Sequence, residues 1–288
     1  MKKNIIIPAA LCVALSLFAC DRCDRETDKA IPAEIEWTPL EAHEKYTATE
    51  LVEAYPDDSL GYTFEADYTL LTPKTKDGSE YPFLDIVARE LMSRLDTLST
   101  DKQEAPEVLL EQFVSGQLDS YKAMMKELAP QVSQNKYNSA YIETHTMKDS
   151  LVFDQKGLVS ILSEWTAYNG GAHGSYGHIG KNFDFNKETV LTDKALFIDG
   201  SESEINALIL GKLMKDLGAS DVQVLRDSLG IHVDGVAMND NFYFGEKGIT
   251  YIYNPYEIAS YAQGEIFVHL PYADLVPYLR EEYASLAE

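Results

Sequence analysis

Between Thr63 and Leu70 the apolar side chains of Phe64, Ala66, Tyr68 and Leu70 alternate with polar ones, the period of a strand with one buried face. Residues 73–78 read as the loop that ends it. After Pro82 the spacing lengthens to three and four, and Phe83, Val87, Leu91, Leu95 and Leu98 fall on one stripe of a helix. A second helix is predicted behind Pro106, whose missing N–H is harmless in a first turn. Its stripe is Leu110, Phe113, Val114, Leu118, Tyr121, Met125 and Leu128, and Pro130 ends it. Period-two patterning returns over residues 141–147, 151–153 and 158–168, with 154–157 as a hairpin turn.

Beyond a glycine-rich stretch, a strand over 179–185 leads to a turn near Asn186 and a short helical piece after Thr192. Ser201 and Glu204 have the S-x-x-E spacing of a capping box. The helix behind them carries Ile205, Leu208, Ile209, Leu213 and Leu217, and Gly218 stops it. The last third predicts strands over 241–244, 249–253 and 265–270, then a helix from Tyr272. Strands in runs, joined by hairpins, predict an α+β fold of mainly antiparallel sheets, each packed against helices, in two subdomains over 59–169 and 170–288.

The amino-terminal end of the chain differs from this body. Lys2 and Lys3, an apolar run from Ile5 to Phe18, and Leu17-Phe18-Ala19-Cys20 followed by Asp21 and Arg22 have the layout of a bacterial lipoprotein signal. The run is too short to span a bilayer, which takes about 20 apolar residues. The expectation is a leader over 1–19, cleavage before Cys20, and export with a lipid on that cysteine anchoring the protein to the cell envelope, on the periplasmic side or the cell surface. Residues 20–58, charged and punctuated by Pro32, Pro39 and Pro56, are expected to be a tether with a first strand near its end. Cys12 leaves with the leader and Cys23 stands alone, so no disulfide is expected in the mature chain.

With 47 acidic against 24 basic residues the formal net charge is −23, which argues against nucleic acid as a partner. The densest unusual segment is Tyr168-Asn169-Gly170-Gly171-Ala172-His173-Gly174-Ser175-Tyr176-Gly177-His178. It lacks the Lys-Ser/Thr of a phosphate loop and the spacing of a nucleophile elbow. His173 and His178, with Asp184 or Glu257 as an acid, would make a metal or acid–base site only if tertiary folding joins them; otherwise they are hydrogen-bonded histidines in a connection. A second segment, residues 254–264, gathers Tyr256, Glu257 and Tyr261 near Tyr272. Such tyrosines form a recognition surface or plug a sheet edge.

These same residues carry a resemblance. Tyr168 with Gly170-Gly171-Ala172-His173, Phe183-Asp184-Phe185, Asn254-Pro255-Tyr256-Glu257-Ile258 through Gly264, and Leu270-Pro271-Tyr272 with Leu275 resemble the RsiV-like extracytoplasmic domain. The segment from about Thr63 resembles the companion domain at the front of the deacetylase PdaC. The resemblance implies an exported, often lipid-anchored α+β module; in RsiV this domain is an outer sensor that binds lysozyme. His173 and His178 are one residue too far apart for the H-x-x-x-H pair of such deacetylases, and Lys187-Glu188-Thr189 stand where the family has a glycine. The expected function is a binding or sensor module without a cofactor, whose ligand is a lysozyme-like or other basic envelope protein or a glycan, met through Tyr168, Asn169, Gly170, Gly171, His173, Tyr176, His178, Tyr256, Glu257, Tyr261 and Tyr272. A metal-dependent enzyme on envelope polysaccharide and a structural subunit of a surface complex are the alternatives.

Overall fold

A computed structural model describes residues 34–49, 51, 62–95, 104–128 and 141–287. The leader, the lipid site at Cys20, the tether before residue 34, Leu98 and Pro130 lie outside the described residues. A six-stranded sheet runs in chain order: β1 (Ile35–Thr47), β2 (Thr63–Thr75), β3 (Ile142–Gln155), β4 (Leu158–Asn169), β5 (Ser175–Asp184) and β6 (Thr189–Leu191). Each neighbouring pair is antiparallel except β2–β3. A parallel pair needs a long crossover, and here the crossover contains α1 (Phe83–Met92) and α2 (Pro106–Leu128). A second sheet orders β7 (Phe242–Gly245), β8 (Gly248–Tyr253) and β9 (Ile266–Pro271), all antiparallel. The α+β class with two mainly antiparallel sheets is therefore what the chain adopts.

The apolar stripes find the partners their periodicity predicts. Phe64, Leu70, Val87, Leu91, Leu110 and Tyr121 pack α1 and α2 on the first sheet, while Ile205, Ile209, Leu213, Phe242, Tyr251 and Val268 pack the second sheet against α4 (Glu202–Asp216). Three shorter helices complete the chain: α3 (Asp193–Leu196), α5 (Val222–Asp227) and α6 (Tyr272–Leu275). The helix expected from Tyr272 is thus a single turn, followed by a bridge from Leu279 to Phe197 and a 3-10 segment over Glu281–Ala287.

Several local expectations give way. The tether assigned to 20–58 contains β1, thirteen residues long with Leu40 its buried side chain. It is an outer strand carrying Glu36, Glu41, Glu44 and Lys45, the charged dress of an edge, which hides how far the expected first strand extends. Pro73 lies inside β2 opposite Trp37. Leu71 N–H turns away from β1 to meet Asp149, so Pro73, two residues on, faces the same way beyond the end of the β2–β3 ladder, where no N–H is needed. The Ser201–Glu204 capping box does not form: Ser201 Oγ donates to Ile198 O and Glu204 accepts from Ser203. The hairpin at 154–157 does form, with Lys156 and Gly157 both at positive φ as a tight two-residue turn requires.

Two features tie the layers together. Asp149 and Arg94, with side chains 0% and 1% exposed, meet in a two-pronged ion pair at 2.6 and 2.9 Å. The guanidinium also reaches Ser163 and Leu91 O, and Asp149 Oδ2 accepts from Leu71 N–H at 2.8 Å. The sheets meet where β5 crosses β7. A Cβ on Gly180 would lie 2.1 Å from Phe242 O, so glycine alone permits the approach. Side-chain amides stitch this seam: Gly180 N–H donates to Asn241 Oδ1, His178 N–H to Asn254 Oδ1, and both amide Nδ2 groups donate to His178 O. Beside it, Asn182 Nδ2 donates to Phe242 O, and Ser160 bridges Asn182 and Phe244 N–H. The place where 59–169 was expected to hand over to 170–288 is the β4–β5 connection inside the first sheet.

Candidate functional site

Gly170 and Gly171, at φ +78° and +93°, turn the chain out of β4, and Tyr168 Oη donates to Gly171 O at 2.8 Å. That turn presents His173, whose ring stacks on Tyr261 with centroids 4.1 Å apart and planes 24° apart. His173 Nδ1 donates to Gly174 O, which places its proton. Tyr176, two residues into β5, meets Tyr261 edge-on at 5.6 Å, and Tyr256 lies against Tyr261 at 5.7 Å. Four rings from segments about eighty residues apart in sequence thus form one surface platform with Tyr261 at its centre.

The second segment is built to hold its rings out. Tyr256 is 64% exposed and sits at φ +73°, a left-handed conformation unfavourable for a bulky residue. Its turn is pinned by Tyr256 N–H to Ala259 O, Glu257 N–H to Asn254 O, and Asn254 N–H to Glu257 Oε2, each 3.0 Å. A reciprocal cap between Ser260 and Gln263 fixes the 3-10 turn Tyr261–Gln263 that carries the central ring.

The remaining expected residues fall in different places. His178 pairs with Glu265, Nδ1 to Oε1 2.6 Å, and meets the Phe267 ring at 5.6 Å. Glu257, expected as a companion acid, instead engages Asn254, and Asp184 accepts from Asn186 and Lys187 N–H and from Tyr283 Oη. The groups suggested for a metal site therefore engage separate partners; among the described residues no group of three His, Cys, Asp or Glu is placed to hold a metal ion. Asn169 pairs with Glu143 at the end of the β3–β4 ladder, exposed beside the platform's loop. Tyr272 is buried in the second core with its hydroxyl on Gly245 O at 2.9 Å, so it is a packing residue and not part of the surface. Glu265 carries no local motif, and the segment that Asn254 opens gives no local sign of its partner; only the fold brings the two to His178.

A second polar constellation lies at α3. Asp193 and Asp240 clasp each other's backbone, Asp193 N–H to Asp240 Oδ1 at 2.7 Å and Asp240 N–H to Asp193 Oδ2 at 2.8 Å, while Tyr251 Oη donates to Asp193 Oδ1. Burial pushes the Asp193 carboxyl up to about 6; the Tyr251 hydrogen bond opposes this and the Asp240 charge adds to it. An acid with a raised folded-state pKa favours the native state while protonated. That contribution is lost as pH rises from about 4, where the unfolded chain ionises, to about 6. In Asp193→Asn the amide oxygen keeps the Asp240 N–H and the Nδ2 group donates to Tyr251 Oη. Urea unfolding from pH 4 to 7 is therefore expected to move the stability difference toward the variant by on the order of 3 kcal/mol. A pH-independent difference would refute the assignment.

Known proteins bear on this arrangement in two ways. Residues 194–273, which span α4, the second sheet and the Tyr256–Tyr261 segment, match the family model described as "Protein of unknown function (DUF3298)". None of the curated proteins matches the chain. A crystal structure of a DUF3298 family member from Bacteroides fragilis NCTC 9343 has a similar fold, with TM-score 0.74 at 18% identity over 88% of this chain and 96% of that one. A DUF3298 family protein from Pseudomonas aeruginosa PAO1 gives TM-score 0.56 at 16% identity, over 87% and 97%. At such identities the likeness is one of fold. Residues 194–273 are thus similar to the DUF3298 family model, within a fold that resembles DUF3298 family structures across most of the chain's length.

Proposed function

We propose that this protein is a lipid-anchored binding module of the cell envelope, held by Cys20 and meeting its ligand through the His173–Tyr176–Tyr256–Tyr261 platform. The observation that carries the reading is Tyr256: a ring 64% exposed, on a backbone at φ +73°. Strain of this kind costs on the order of 1–3 kcal/mol and gathers at functional sites, and nothing in the core requires this ring. Tyrosine gives a large amphipathic contact at low entropic cost.

The ligand that fits first is a basic envelope protein, lysozyme-like in charge. A net charge of −23 speeds its encounter, and guanidinium or ammonium groups stack on exposed tyrosine faces. A glycan is the second reading, favoured by the near-parallel stacking of His173 on Tyr261, which leaves flat aromatic surface of the kind a sugar ring covers.

The test is calorimetry of the purified protein with lysozyme and, separately, with peptidoglycan fragments, at low and high salt. Salt-sensitive binding of lysozyme is expected, and Tyr256→Ala should weaken it by about 2 kcal/mol, roughly thirtyfold, as for an aromatic anchor. Binding only to the fragments would select the glycan. Binding to neither, or an unchanged affinity in Tyr256→Ala, would refute the platform as the contact surface.

A further inference from the structure

The clasp at α3 forms one wall of a cleft of about 490 Å3, away from the residues assigned to the aromatic platform. That volume lies in the range of small-molecule sites. Phe197, Ile198 and Met238 supply apolar lining, with Ile198 42% exposed to it and to solvent. The polar lining is dominated by carboxylates: Asp193, Asp240, Glu202 and Asp199. We propose that this cleft binds an organic ammonium or guanidinium group carried on a short apolar stem.

The charges in and around the cleft are incompletely matched. Asp199 is taken by Arg280 at 2.6 Å. Asp193 is 7% exposed, and its carboxylate is met by a phenol and a backbone N–H, with no cation within ion-pair distance among the described residues. A buried carboxylate without a counter-ion is costly, and a cation in reach of it recovers much of that cost. Lys194 lines the same cleft, yet its ammonium forms no ion pair among the described residues, so it leaves the carboxylates open to a ligand's cation while its own charge opposes that cation. The apolar lining calls for a stem behind the cation, and the carboxylates are not grouped as metal ligands are. The titratable groups facing Asp193 are Tyr251, Tyr253 and Asp240, with Glu202, Asp199 and Lys194 around the cleft.

The experiment is calorimetric titration of the purified protein with n-hexylammonium, using hexanol and hexanoate as neutral and anionic matches. Saturable binding of the ammonium alone is expected. Asp193→Asn should weaken it by about tenfold or more and Glu202→Gln several-fold, Lys194→Gln should tighten it, and lowering the pH from 7 to 5 should weaken it about tenfold, because only about a tenth of Asp193 stays ionised there. Glu202 is exposed, so that variant keeps the test valid if Asp193→Asn disturbs folding. No saturable binding, equal binding of hexanol, or an affinity indifferent to Glu202→Gln and Lys194→Gln would overturn the proposal. Tyr256→Ala leaves this affinity unchanged, which separates the outcome from that of the platform.

Discussion

Asp149→Ala is expected to lower the unfolding free energy by about 3–5 kcal/mol. The reason is what the change leaves behind. Arg94 is 1% exposed and keeps a full charge with no counter-ion, and Leu71 N–H loses its acceptor. Ser163 and Leu91 O remain as neutral partners of the guanidinium, but they cannot cancel its charge. The double variant Arg94→Met with Asp149→Leu removes both charges and restores apolar volume. It should recover most of the loss but not all, because Leu71 N–H stays without an acceptor. Urea unfolding of the two single variants and the double variant tests this; equal destabilisation in all three would mean that the ion pair is not the origin of the effect.

Gly180→Ala is expected to cost about 3 kcal/mol or more, at or beyond the upper end of ordinary overpacking. The new methyl would lie 2.1 Å from Phe242 O and 3.2 Å from Phe242 N. Both are backbone atoms of the partner sheet, so no side chain can swing aside, and relief requires the sheets to separate. Gly116→Ala is the matched control: it lies within α2, its added methyl meets nothing within 4 Å, and it should stabilise by about 0.5–1 kcal/mol. Opposite shifts in melting temperature for the two variants are the expected result. A neutral Gly180→Ala would show that the sheets approach less closely than described.

Where the pattern along the chain was local, it was legible. The stripes of α2 and α4, the first part of that of α1 and the hairpin at Lys156–Gly157 depend on neighbours a few residues apart and form where the spacing places them, although α1 ends at Met92, short of Leu95, and Leu217 is exposed just past α4. The extent of β1 was hidden because an outer strand has one face to solvent and carries charge there, and its Pro39 resembles a linker residue. The parallel β2–β3 pairing joins Thr63 to Ile142, a contact between distant segments that no short-range periodicity encodes. β6 and α5 are three and six residues long, too short to show a period. The candidate site divides the same way. His173, Tyr176, Tyr256 and Tyr261 stood out by composition and do meet, whereas the partner of His178 proved to be Glu265, 87 positions away, and not Glu257. Tyr272 looked like its surface neighbours, but it opens α6 directly behind β9 and is buried in the second core, with its hydroxyl on Gly245 O.

The amide seam also bears on solubility. β6 covers β5 only from Asn182 to Asp184, so the outward main-chain groups of His178 and Gly180 would otherwise be open to a strand from another molecule. Asn241 and Asn254 occupy those donors and acceptors with side-chain atoms that cannot propagate a ladder. The protein thus closes a sticky margin without adding a strand, a safeguard against self-association that matters most for a molecule crowded among its own copies.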